Sequence, residues 1–250
     1  MNSILKKNKW LRYSFMAKDV RLASHLPKTK LLTAKALRKM IARYGQVILK
    51  PVVGRRGFGV IKVSPLGGKH YQIHHENKKK KIRGFQKTYD YIKRMIGSRR
   101  YMVQQRVQLP EIRNRPFDIR VIVQRRKKNS NSWRVTGKVA KLAGKGYIVT
   151  NNARSKGTVL MVESAIRKSS LKHLSEKKIL SKIEKVALLS ARRLTSRYPN
   201  HRIYGLDMGL DKKGHVWIIE ANTFPMLTHF RKIKDQRMYR RIKAYKKGTS

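Results

Sequence analysis

A chain of 250 residues and 29.2 kDa is long enough for one large domain or two small lobes, each with a real core. Its 63 lysines and arginines stand against 12 acids, a formal net charge of +51, while 40% of residues are hydrophobic. That apolar share excludes an all-linker protein or a disordered basic tail. The charge will draw polyanions, nucleic acid included, whatever the core does.

Cysteine is absent, which excludes disulfides, thiol nucleophiles and thiolate metal sites. That suits a reducing cytosol, so a cytoplasmic location is the expectation. No run of 18 apolar residues occurs, so no transmembrane segment is expected. The N-terminal MNSILKKNKWLRYSF has no continuous apolar stretch of signal-peptide length.

In chain order, residues 1–27 read as a basic N-terminal arm. Thr33 caps a predicted helix whose apolar positions, Ala36, Leu37, Met40 and Ile41, keep helical spacing up to Gly45. QVILKPV (46–52) and VIKVS (60–64) are short apolar strands around VGRRGFG, and KHYQIHH (69–75) is a further strand after a Pro-Leu-Gly-Gly turn. HENKKKKIRG (75–84) is a solvated loop or hairpin, and TYDYIKRMIG (88–97) a helix stopped by Gly97. YMVQQRVQL (101–109) returns to strand, and FDIRVIVQR (117–125) with SWRVTGKVAKLA (132–143) makes a hairpin. The clearest helix runs over 174–199, with Ile179, Ile183, Val186, Ala187 and Leu194 on its apolar face. Strands at 202–211 and 215–222 follow, then one basic helix over 229–247. The class is α+β (mixed α/β) with antiparallel sheets.

Acids are so scarce that any acid inside an apolar strand stands out. Asp207 lies in IYGLDMGL, and Glu220 follows Val216, Trp217, Ile218 and Ile219. Burying an unpaired carboxylate is expensive, so each needs a cation, a donor network or a raised pKa. A hairpin brings them to one site, and Asn222 shares a sheet face with Glu220. Two carboxylates and an amide oxygen suit Mg²⁺; the alternative is that both acids pair with lysines and arginines. Gly54, Gly57 and Gly59 form a hairpin whose N–H groups suit phosphate, with Lys50 nearby as a point charge; the alternative is a plain turn. It is not a P-loop, because no G-K-[ST] follows and the next element is a strand. Arg55 and Arg56 are phosphate clamps or surface charge in equal measure. Trp217 and Phe224 read as core aromatics.

The ordered motifs ILKPVVGRRGFGVIKV (48–63), QQRVQLPEIRNRPFDIRVIVQ (104–124), WRVTGKVAKLAGKGYIVTNNARSKGT (133–158) and YGLDMGLDKKGHVWIIEAN (204–222) resemble the ATP-grasp superfamily. Within it the chain is most similar to the YheC/YheD-type spore-coat-associated proteins. The resemblance implies an ATP-grasp fold, two lobes with antiparallel sheets enclosing the nucleotide. It implies a first lobe over 28–103 with the glycine-rich phosphate loop, a second over 104–230 with the metal site, and a basic C-terminal helix over 231–250. ATP and one or two Mg²⁺ ions are the implied cofactors. Lys50, Gly54, Gly57 and Gly59 would hold phosphates, and Gln104, Gln105, Arg106 and Val107 the adenine. Asp207, Glu220 and Asn222 would hold the metal, and Lys141, Asn151 and Arg154 would face the transferred phosphate or the substrate. The implied reaction joins a carboxylate to an amine through an acylphosphate, on an acidic or polymeric substrate, with spore association. A phosphotransferase and a polyanion-binding structural spore protein remain as alternatives. Only 49 residues precede Lys50, so the substrate half-site is expected to be reduced, absent or supplied by a partner. Met226 stands where NTFPMLT would have glycine in D-alanine–D-alanine ligases, so close backbone approach to substrate is not expected there.

Overall fold

A computed structural model describes residues 8–54, 57–128, 130–144 and 157–247. The chain is mixed α/β and divides into two compact units, one built on Pro27–Arg106, the other on Leu11–Leu26 and the described residues from Val107 onward.

The first unit carries a six-stranded antiparallel sheet in the order β1-β6-β2-β3-β4-β5. Its strands are β1 (Thr29–Leu31), β2 (Val47–Pro51), β3 (Ile61–Gly67), β4 (His70–His75), β5 (Lys78–Arg83) and β6 (Tyr101–Gln105). One face is apolar because Val47, Leu49, Ile61, Val63, Ile73 and Val103 alternate inward. Helices Ala34–Tyr44 and Phe85–Ile96 cover that face with Leu37, Met40, Ile41, Ile92 and Ile96. Thr33 caps the first of these helices by accepting from the Ala36 N–H at 3.0 Å, as the sequence predicts. The lysine run forms the β4–β5 hairpin, so it is strand and not open loop.

The second unit carries the order β10-β9-β8-β11-β12, with a short β7 (Glu111–Ile112) against β8. Its strands are β8 (Arg115–Gln124), β9 (Arg134–Leu142), β10 (Thr158–Leu160), β11 (Ile203–Leu210) and β12 (Val216–Asn222). The long predicted helix is Glu176–Thr195, capped by Ser175. It packs Ile179, Ile183, Val186, Ala187 and Leu194 on one sheet face together with helix Val162–Arg167. The same core takes Met16, Leu22 and Leu26 from residues 11–26. That stretch of the basic N-terminal segment is helical over Lys9–Ala17 and Val20–Ala23, and Asp19 caps the second helix.

The opposite sheet face is covered by two helices where the sequence predicts one. Thr228–Arg231 ends, and Arg237–Lys247 begins afresh because the Asp235 side chain accepts from the Arg237 N–H at 2.9 Å. Phe230, Ile233 and Ile242 press on Ile122 and Val139 there. Gly137 makes this approach possible, since an added Cβ would lie 2.7 Å from Phe230 Cε1 and 2.8 Å from Ile242 Cδ1. No described helix is long and apolar enough to cross a membrane.

Gly137→Ala is expected to destabilise by about 1–3 kcal/mol through this overpacking. Urea unfolding should show a lower midpoint with an unchanged slope.

Candidate functional site

In the first unit, Lys50 is the penultimate residue of β2 and points to the sheet face away from the helices. It is 8% exposed, and its Nζ donates to Gln104 Oε1 at 2.6 Å. Gln104 Nε2 donates to Thr29 Oγ1 at 3.0 Å, and that hydroxyl donates to the Pro27 carbonyl at 2.8 Å. Three strands thereby fix the position of the Lys50 ammonium. Gln105 exchanges backbone and side-chain hydrogen bonds with Lys28. Arg106 follows β6, and its guanidinium donates to the Gln46 side chain; Val107 begins the second unit.

Gly57 and Gly59 take φ of +68° and +71° in the turn before β3, a region open to glycine at little strain. A Cβ at Gly59 would collide with the Tyr101 hydroxyl, and one at Gly54 would lie 2.9 Å from Pro51 Cγ. Arg55 and Arg56 lie outside the described residues, as do Asn151 and Arg154.

In the second unit the register assembles a charged cluster. Arg120 on β8 pairs in register with Asp207 on β11, and Asp207 with Glu220 on β12. One step along, Asp118 on β8 pairs in register with Lys141 on β9. Arg120 grips Asp207 with both arms at 2.9 Å. Lys141 Nζ lies 2.6 Å from Asp207 Oδ1 and 3.0 Å from Asp118 Oδ1. Asn222 Nδ2 reaches Asp207 Oδ2 at 3.5 Å. The ion-pair reading of Asp207 is therefore realised, and its predicted neighbours Glu220 and Asn222 lie beside it.

A β-bulge makes this set possible. Register shifts between Asp207 and Met208, where Glu220 and then Ile218 are the partners, so Ile219 is the extra residue. Before the bulge Val216 and Ile218 face the core; after it Ala221 does, while Glu220 and Asn222 are only half-buried. Strict alternation would have sent Glu220 and Asn222 into the core beside Ile218. Gly209 leaves space for this, since a Cβ there would lie 3.0 Å from Ile219 Cδ1.

Electrostatics follow from the packing. Burial opposes a charge on Asp207, yet Arg120 and Lys141 outweigh it and hold the carboxyl well below its usual range. Burial likewise opposes the Lys141 ammonium, but Asp118 and Asp207 raise its pKa. His229, 8% exposed, is pushed down to about 4 by burial and by Lys141 and Arg120 against a smaller pull from Asp207. Arg12 donates to the Ala221 carbonyl at 2.6 Å and lies in the field of Glu220.

Sequence patterning had no signal for Arg12, one cation among 63, or for His229. Asp118 and Arg120 carried one: alternate charged positions in an otherwise apolar strand. Phe224 corrects the core reading, being 67% exposed in the irregular stretch after β12, where strand alternation no longer applies. Trp217 is half-buried, and its indole N–H donates to Asp211 at 3.1 Å. Among the described residues no three His, Asp or Glu side chains gather for a metal, so the oxygen set here is two carboxylates and an amide.

The profile of the YheC/D like ATP-grasp family matches residues 1–246. The endospore coat-associated protein YheD of Bacillus subtilis (strain 168) is 27% identical over 235 residues, covering 87% of this chain and 48% of that protein. Among solved structures, N5-carboxyaminoimidazole ribonucleotide synthetase from Thermotoga maritima is 15% identical with a TM-score of 0.50, covering 97% of this chain and 49% of that one. The ATP-grasp ligase PsnB with its minimal precursor is 15% identical with a TM-score of 0.54, covering 98% and 62%. These likenesses place the fold among the ATP-grasp ligases. The chain spans about half the length of the curated relative it matches.

His229 should make stability fall as pH drops. Its folded pKa of about 4 lies below the unfolded value near 6.5, so the contribution is full above pH 6.5 and is lost between 6.5 and 4, about 3 kcal/mol in all. Guanidinium unfolding at pH 7 and pH 4.5 should show a smaller loss in His229→Gln than in wild type.

Proposed function

The chain belongs to the YheC/D-like ATP-grasp family, and on that premise we propose that it is an ATP- and Mg²⁺-dependent carboxylate–amine ligase. Its substrate is acidic or polymeric, and the reaction passes through an acylphosphate. The observation that carries this reading is the row Arg120–Asp207–Glu220 with Lys141 and Asn222 on one sheet face. The ion pairs of Asp207 also serve the sheet, so the reading rests on Glu220 and Asn222 standing beside it as further oxygen donors.

The donor set fits the metal. Asp207, Glu220 and the Asn222 amide are hard oxygen ligands of the kind Mg²⁺ takes. Held there, Mg²⁺ would supply positive charge to offset that developing on a phosphoryl group. Arg120 and Lys141 keep Asp207 ionised, and since both its oxygens accept from them, a metal would share Asp207 with these cations. Lys141, shared between Asp118 and Asp207, would face the transferred phosphate or the substrate, the role that the family resemblance also gives Asn151 and Arg154. In the first unit Lys50 binds phosphate oxygens, its ammonium aimed by Gln104. The loop at Gly54, Gly57 and Gly59 presents N–H groups to phosphate, and Gln104 to Val107 contact adenine. PsnB has also been solved with Mg and ADP (TM-score 0.52, 15% identity, covering 98% of this chain and 60% of that one), which supports the choice of cofactors. Phosphoryl transfer of this kind rests on positioning and charge stabilisation, so the lack of a nucleophilic side chain is no obstacle. The YheD relative is an endospore coat-associated protein, which supports a role in spore-coat assembly.

Mg-ATP at 100 times its dissociation constant should add about 2.7 kcal/mol, a rise in Tm of roughly 5–10 °C for this size. The rise should require Mg²⁺ and vanish in Glu220→Gln. A rise equal in the variant and reproduced by pyrophosphate would mean that bare charge binds the anion, and the ligase reading would fall.

A further inference from the structure

β5 closes the first unit's sheet: it pairs with β4 on one side and with no described strand on the other. Its sequence is KKKKIR, and Lys78 to Lys81 are all exposed. The strand sorts these cations by face. Lys80 lies 4.4 Å over the Tyr91 ring of helix Phe85–Ile96, and Ile82 packs on that unit's core. Lys79, Lys81 and Arg83 therefore occupy the other face, about 7 Å apart. Lys79 stands opposite His74, which stands opposite Lys62; Lys81 stands opposite Gln72 and then Ser64.

That face has no countercharge. Pro27–Arg106 holds two acids, Glu76 in a turn and Asp90 on a helix, where it accepts from Gln86, against 22 lysines and arginines. Among the described residues no ion pair engages Lys79, Lys81 or Arg83. Burial pushes the Lys62 ammonium below its ordinary pKa, and Arg106 and Lys79 add to it in the same direction.

Lysines on an edge strand guard against pairing with another copy of the same edge, and here like charges would meet directly. A strand of opposite sign meets no such bar: it satisfies both the unpaired backbone groups and the ammonium row. We propose that the open edge of β5 takes an extended acidic peptide as an added strand, with carboxylates at alternate positions meeting Lys79, Lys81 and Arg83. This rests, for its role, on the acidic substrate assigned above. A phosphate polymer or nucleic acid would use the charge but leave the strand edge unpaired, so the edge selects peptide.

The test uses the full chain without nucleotide at physiological salt, so its outcome is independent of ATP binding. A fluorescein-labelled peptide of alternating glutamate and threonine is titrated against wild type, Lys79→Thr/Lys81→Thr and Lys78→Thr/Lys80→Thr. Threonine keeps strand propensity, and both variants lose the same charge. The expected result is a tenfold or greater loss of affinity for the first variant, less than threefold for the second, and slowed amide exchange over 78–83 in wild type with peptide. Equal losses in the two variants would reduce the surface to bulk charge and overturn the proposal. So would binding without amide protection, or inorganic polyphosphate or single-stranded DNA displacing the peptide while slowing the same amides.

Discussion

Asp207 and its two cations hold the second unit to one arrangement. Arg120, Lys141, Asp118 and Asp207 are buried, and each ion loses several kcal/mol of hydration. They recover it only together, because taking one away strands another charge in the sheet. The four residues come from β8, β9 and β11, so they meet only when those strands are in register. A slip of one residue in any of these strands would turn its members to the opposite face and part them from the rest. The network thus selects a register as well as forming a site, and helices Glu176–Thr195 and Arg237–Lys247 pack on a sheet whose order is already set.

Much of this is readable before folding. Thr33 and its helix, the apolar strands of both sheets and the long helix capped at Ser175 follow from local pattern alone. Asp207, Glu220 and Asn222 declare themselves by chemistry out of keeping with their surroundings. What escapes has a physical reason. Arg12 and His229 act through contacts across more than 80 residues of chain, and no local period encodes those. The break in the C-terminal helix turns on one capping aspartate inside a basic run. Residues 11–26 read as part of a basic arm because the segment breaks into two short helices with no long period, although Tyr13, Phe15, Met16, Leu22 and Leu26 carry it into the core.

The twelve acids do little to offset the surface charge. Asp19 and Asp235 accept from the backbone at helix starts, and Asp211 accepts from the Lys213 and Trp217 N–H groups around a hairpin turn. Asp118, Asp207 and Glu220 gather on one sheet face. With half of the acids committed to these tasks and so few left to pair with surface cations, as Glu184 does with Lys138 and Glu176 with Arg167, the exterior is left nearly of one sign. It repels itself, and the packed apolar cores of both units must outweigh that repulsion.

The bulge at Ile219 bears on how this hairpin tolerates evolutionary change. A point substitution at Ile219 alters one side chain and leaves the phase of β12 untouched. Loss of Ile219 would leave a plain ladder in which Ile218 still faces the core and Glu220 and Asn222 still face away from it. Keeping Ile219 while flattening the bulge is the damaging change, because regular pairing of the longer strand carries Glu220 and Asn222 to the core side. The stretch can therefore shorten by one residue and keep this arrangement. A Cβ at Gly209, 3.0 Å from Ile219 Cδ1, is the change that presses on the bulge itself.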